Sequence, residues 1–167
     1  MLQRRLVLAV GSALALGACG FQLRGAPELA FASLFVNVGD TSPMGNELKR
    51  NLGSLGSLRV MTAPAPQADA QAVLDILSDL REKTVVRVNA TGQVREFQLR
   101  VRVRFRLRTP QGKELIPETE LLLQRDISFN ESAVLAKEAE EGLMYRDMQS
   151  DIVQQIMRRL AAVTSLE

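Results

Sequence analysis

The sequence predicts an α+β fold: a two-layer sandwich of a twisted four- to five-stranded, mostly antiparallel sheet with two helices packed on one face. Three observations lead there. Residues 97–108 alternate apolar and polar side chains without an error, the period of a half-buried strand. Met144, Met148, Ile152, Ile156 and Leu160 recur every four residues, with Val163 close by, as on one face of a long helix. The elements read in the order strand, helix, three or more strands, helix, which places the helices on one sheet face.

Each element has its own signal. Leu34–Val38 is a β-type run ended by Gly39-Asp40. Ser42-Pro43 opens a helix over Met44–Leu55, with serine at the cap, proline in the first turn and Gly56 as the stop. Leu58–Met61 resumes a strand, and residues 62–72, rich in alanine and proline, form a connection. Val73–Val88 alternates imperfectly, as a bulged strand does. Asn89-Ala90-Thr91-Gly92 turns the chain into the regular strand, Pro110–Lys113 ends that strand, and Leu121–Phe129 is the last one. The closing helix starts at Glu131 behind a cap from Ser128–Asn130 and ends near Arg158 and Arg159, which suit the negative helix terminus. Gly142 either interrupts this helix or weakens it.

The N-terminus carries a different kind of information. Arg4-Arg5, an apolar run from Leu6 to Leu16 and the small residues Gly17-Ala18 make a secretory signal peptide over residues 1–18. The run is too short to span a bilayer. Leu16-Gly17-Ala18-Cys19 matches the bacterial lipobox, so Cys19 is expected to carry S-diacylglycerol and an N-acyl chain. Several such chains anchor firmly, at about 0.8 kcal/mol per buried CH₂. In lipoproteins an aspartate after the cysteine favours the inner membrane; Gly20 stands here, which points to the outer one. Residues 19–30 then form a lipidated tether and 31–167 a single domain.

Charge and composition narrow the function. The chain has 21 basic and 19 acidic residues, and loss of Arg4 and Arg5 with the signal leaves a balanced mature protein. Attraction to anions must then come from local clustering. There is no histidine and no tryptophan, and Cys19 is the single cysteine. Ser-His-Asp and Cys-His catalysis and the common zinc sites are excluded. Gly53, Gly56 and Gly92 are isolated and form no phosphate loop. The expectation is a non-enzymatic protein without a cofactor beyond its covalent lipid, and without a metal.

Arg100, Arg102, Arg104, Arg106 and Arg108 share one face of the regular strand, with Gln98. They can form a solvated face balanced across the sheet by groups such as Glu118 and Glu120. They can form a partner or polyanion surface, since guanidinium grips phosphate with two donors. They can also guard a long strand against edge-to-edge pairing. Phe97 and Phe105 point to the other face, so the stacking platform of a nucleic-acid binder is missing. At an outer membrane the abundant phosphorylated partner is lipopolysaccharide.

Several strings together resemble one family. Ala18-Cys19-Gly20-Phe21-Gln22-Leu23-Arg24 is similar to the mature start of LptE, the lipopolysaccharide-assembly lipoprotein family. Gly39-Asp40, Pro43 and a helix with Leu48, Arg50, Asn51 and Leu52 look like its first helix. Gly92-Gln93 and Glu96-Phe97-Gln98 look like its central hairpin, and Leu135-Ala136-Lys137-Glu138 with Met148 and Gln154–Leu160 like its closing helix. The resemblance covers most of the mature chain. It implies a non-enzymatic plug inside the lumen of an outer-membrane β-barrel, LptD, that assists barrel assembly and the insertion of lipopolysaccharide into the outer leaflet. The domain would lie in the periplasm or the barrel lumen. It also implies a lipopolysaccharide contact at Lys137, which read alone is an ordinary helix lysine near Glu138 and Glu141. A second basic position of the family, before the hairpin glycine, is occupied by Asn89-Ala90-Thr91 here, leaving Arg87 or Arg95 to supply it. The alternative is a scaffolding envelope lipoprotein without a lipid-transport role.

Overall fold

The computed structural model describes residues 29–166. The expected signal peptide, Cys19 and most of the tether lie outside the described residues. Strand β1 (Ser33–Asn37) leads into helix α1 (Pro43–Gly53), then strand β2 (Arg59–Met61). Three long strands follow, β3 (Ala72–Val88), β4 (Val94–Arg108) and β5 (Glu114–Ser128), and helix α2 (Val134–Ala161) closes the chain. One five-stranded sheet runs in the order β2-β1-β3-β4-β5. The long ladders β3–β4 and β4–β5 are antiparallel, whereas β1 is parallel to both neighbours. The parallel pairs follow from the connections: α1 carries the chain back so that β2 starts at the same end as β1.

The error-free alternation of β4 divides the sheet into two unlike faces. Leu99, Val101, Val103, Phe105 and Leu107 are buried on one. They meet Met148, Ile152, Val153, Ile156 and Leu160 of α2, and Met44, Leu48 and Leu52 of α1, in one core. Full burial of each large apolar side chain contributes about 1.5–3 kcal/mol. Both α-helices therefore lie on this face, and the arginines of β4 point to the other, which among the described residues carries no α-helix, only the single 3-10 turn Gln67–Asp69.

Local rules place the ends. Ser42 caps α1, its Oγ accepting from the Gly45 amide at 3.0 Å, with Pro43 in the first turn. Gly45 is required by packing, because a Cβ there would lie 2.6 and 2.7 Å from the methyls of Val38. Asn130 caps a single 3-10 turn, Glu131–Ala133, that leads into α2. Gly142 sits within α2 without interrupting it. The expected bulges in β3 occur after Ile76 and around Arg87.

β5 is longer than the sequence predicts, beginning at Glu114 and not Leu121. Its first half is mostly exposed and holds Pro117, so it lacks alternation. The strand tolerates that proline because it lies at the sheet edge, beside a register shift between Thr119 and Ile116. The connection 62–71 packs Ala70 with Phe35 and Val73 in a second, small cluster on the helix-free face. Gln71 also bonds to Ser33 and to the Ala32 amide.

Candidate functional site

The helix-free face is built from β3, β4 and the edge strand β5, and its register decides what each arginine can do. Arg106 and Arg108 donate through Nε to Asp75 Oδ2 at 2.9 and 2.8 Å, while Asn37 donates to Oδ1 at 2.9 Å. Asp75 is only 3% exposed. Burial pushes its carboxyl up, but the hydrogen bonds from Arg108, Asn37 and Arg106 outweigh this and hold it below the ordinary carboxylate range. These two arginines tie the end of β4 to the start of β3.

Farther along, Arg104 pairs with Glu118 at 3.0 Å and with the Ser78 hydroxyl. Arg102 stands between Leu80 of β3 and Leu122 of β5, its register partners on either side. Its NH1 is 3.7 Å from Glu120, and its buried Nε has no hydrogen-bond partner. Arg100 donates to Gln98 and has no carboxylate partner among the described residues. The balanced-ladder reading thus accounts for most of the row. The edge-guard reading does not apply, because β4 is an inner strand with neighbours on both sides.

A second cluster lies at the opposite end from the Asp75 cluster, where the β3–β4 turn meets the start of α2. Lys137 Nζ donates to Ser128 Oγ at 3.0 Å and to Glu140 at 2.8 Å. Its carboxylate partner is Glu140, one turn along the helix, while Glu138 and Glu141 stand near it around the same cavity. Lys137 lines a cavity of about 210 Å³ with Lys83, Phe97, Ile127, Phe129 and Glu141. Lys83 sits 4.3 Å from the Phe97 ring centre and 2.6 Å from Glu141. Phe97 and Phe129 meet edge to face at 5.2 Å. Sequence reasoning passed over Lys83, because its contact with Phe97 depends on a cross-strand register behind a bulge.

The two remaining candidates part company. Arg87 pairs across the strands with Glu96, on the helix-free face, and its side chain is 72% exposed. Arg95 precedes Glu96 and points to the helix side, the side of Lys137; its carbonyl accepts from the Phe129 amide. Around this end Val85, Val86, Val88, Leu135 and Leu143 are exposed. Among the described residues no cluster of His, Cys, Asp and Glu could hold a metal, and no helix is long and apolar enough to cross a membrane.

Residues 31–160 match the model of the LptE lipopolysaccharide-assembly family. The chain belongs to the LptE family. Curated relatives agree. The LPS-assembly lipoprotein LptE of Pectobacterium atrosepticum is 27% identical over 168 residues, covering 98% of this chain and 88% of its own. That of Yersinia enterocolitica is 26% identical, covering all of this chain and 80% of its own. The solution structure of lipoprotein B from Nitrosomonas europaea superposes with a TM-score of 0.74 at 35% identity, over 87% of this chain and 92% of that one. Rare lipoprotein B of Shewanella oneidensis, at 24% identity and a TM-score of 0.64, shares the fold over 78% of this chain and 94% of its own. As an LptE-family lipoprotein, the chain acts in lipopolysaccharide assembly, and both the α1 and α2 motifs fall inside the matched span.

Proposed function

We propose that this chain is a non-enzymatic plug, lipid-anchored through Cys19 at the outer membrane, that occupies the lumen of an LptD-type β-barrel, assists its assembly and aids delivery of lipopolysaccharide to the outer leaflet. The observation that carries this reading is the helix-free sheet face. It presents a row of arginines and carboxylates over three long strands, a polar surface of the kind a water-lined barrel interior accepts. Arg100, Arg102 and Arg104 are the part of the row offered to acidic lumen groups: Arg106 and Arg108 are held by buried Asp75, whereas the carboxylates that Arg102 and Arg104 meet are solvent-exposed glutamates and Arg100 donates to Gln98. Lys137 and Arg95, on the same side at the far end, are the better pair for lipopolysaccharide phosphates. Arg87 faces away from them. A scaffold without a lipid role is disfavoured by the family assignment.

Depletion in cells tests the reading. Lipopolysaccharide should accumulate short of the surface and the barrel should mis-assemble; normal surface lipopolysaccharide and barrel levels would contradict it.

A further inference from the structure

This inference rests on the barrel reading and concerns how the partner's chain is gripped. β5 closes one edge of the sheet, and among the described residues no strand lies along its outer side. From Thr119 to Ser128 its ladder to β4 runs without a shift. Long edges are normally blunted by lysine, proline or a bulge. Pro117 and the adjacent register shift do this only near the start of β5. Across Leu121-Leu122-Leu123-Gln124 nothing does.

The side chains beside that edge carry a pattern. On the helix-free face the row reads Glu118, Glu120, Leu122, Gln124, Asp126, one leucine with carboxylates on both flanks. Leu122 is 44% exposed. A second copy fits poorly. The antiparallel register that sets Leu122 against its own twin also sets Glu118 against Asp126 twice. Every other same-face register in this row puts Leu122 opposite Glu118, Glu120, Gln124 or Asp126. Like charges directly opposite are destabilising, and so is a leucine covered by a carboxylate.

We propose that the β5 edge from Thr119 to Ile127 is a docking strand, joined by an extended segment of the barrel partner through main-chain hydrogen bonds. The segment places an apolar side chain opposite Leu122 and Lys or Arg opposite the flanking carboxylates. Strand addition of this kind takes affinity from the backbone and specificity from alternate side chains.

Leu80 supplies the control. It flanks Arg102 from the other side and is 50% exposed, but it belongs to an inner strand. A partner held by the face alone would feel both leucines alike; a partner that also joins the edge depends far more on Leu122, since a lysine at Leu80 only adds a cation to a row that already meets acidic groups. The test compares the purified full-length chain, alone and in complex with its barrel. Amide hydrogen exchange within Thr119–Ile127 should slow at least about tenfold on complex formation, with Leu80–Val85 unchanged. Leu122→Lys should raise the Kd for the barrel at least about tenfold, and Leu80→Lys no more than about twofold. The exchange measurement needs no variant, so it stands even if Leu122→Lys, placed beside Arg102, folds poorly. Equal weakening by both substitutions, or no slowing at the edge, would overturn the edge assignment and leave the barrel reading intact. A dimer of the isolated chain dispersed by Leu122→Lys would overturn it in favour of self-pairing. Absence of any complex with the unaltered chain is a different result, and would remove the barrel reading with the inference built on it.

Discussion

Arg108 Nε lies 2.8 Å from Asp75 Oδ2, and through this contact the end of β4 is fastened to the start of β3. Arg108 carries the tie onward, its NH2 donating to Gln67 in the connection that precedes β3. The arginine row is therefore two structures in one strand, a staple on the buried Asp75 at one end and arginines paired with exposed glutamates or with Gln98 toward the other.

Replacing Asp75 by Asn is expected to cost about 3 kcal/mol, because it leaves two guanidinium groups around a neutral amide in a buried place. The pH dependence has a definite sign. A carboxyl held below its unfolded value contributes stability above that unfolded value and loses it as pH falls through the folded one. Urea unfolding from pH 7 downward should show the gap between wild type and Asp75→Asn narrowing in the acid range below the ordinary carboxylate value. A constant gap would mean the charge is not what matters.

Gly45→Ala is expected to destabilise by about 1–3 kcal/mol, since the new methyl meets the Val38 side chain. Val38→Ala should absorb much of that cost, so the double variant should fall short of the sum of the singles. Thermal unfolding of the four proteins measures the coupling; strict additivity would show that the two residues do not touch.

Ile152→Ala removes a fully buried side chain from the α2 stripe and should cost about 2–5 kcal/mol. Exposed Leu135, at 82%, sits outside the core, so Leu135→Ala should change stability by less than about 0.5 kcal/mol. Denaturant midpoints of the pair check whether α2 is anchored along its second half.

Lys137→Gln combined with Arg95→Gln is expected to weaken binding of detergent-dispersed lipopolysaccharide about tenfold with little change in stability, as exposed ion pairs contribute about 0–1 kcal/mol. Arg87→Gln, on the opposite face, should leave binding within about twofold. Titration with labelled lipopolysaccharide distinguishes them; an equal loss for Arg87 would mean that the site wraps the hairpin.

What the sequence made legible was whatever burial writes into a local period. β4 has one buried and one polar face, so its alternation stands out, and the four-residue stripe of α2 is equally plain because one side of the helix is the core. The family strings were legible for a different reason, since they are local patterns. Glu114–Glu120 escaped because an exposed edge segment interrupted by Pro117 has no buried face to impose a period. The parallel seat of β1 between β2 and β3 escaped because pairing between distant segments leaves no local trace. Within the site, the row of arginines was visible but its division was not: that depends on Asp75 lying opposite Arg106, which only the register reveals. Lys83 was hidden for the same reason.

The Arg100–Arg104 end of the row is proposed to meet a barrel. Mild-detergent extraction of the full-length chain, followed by identification of what co-purifies, tests it most directly. The unaltered chain should bring down one large outer-membrane β-barrel in near-equal amount, and Arg100→Gln, Arg102→Gln and Arg104→Gln together should reduce that recovery at least about tenfold. Recovery of no barrel, or undiminished recovery with the triple variant, would contradict it.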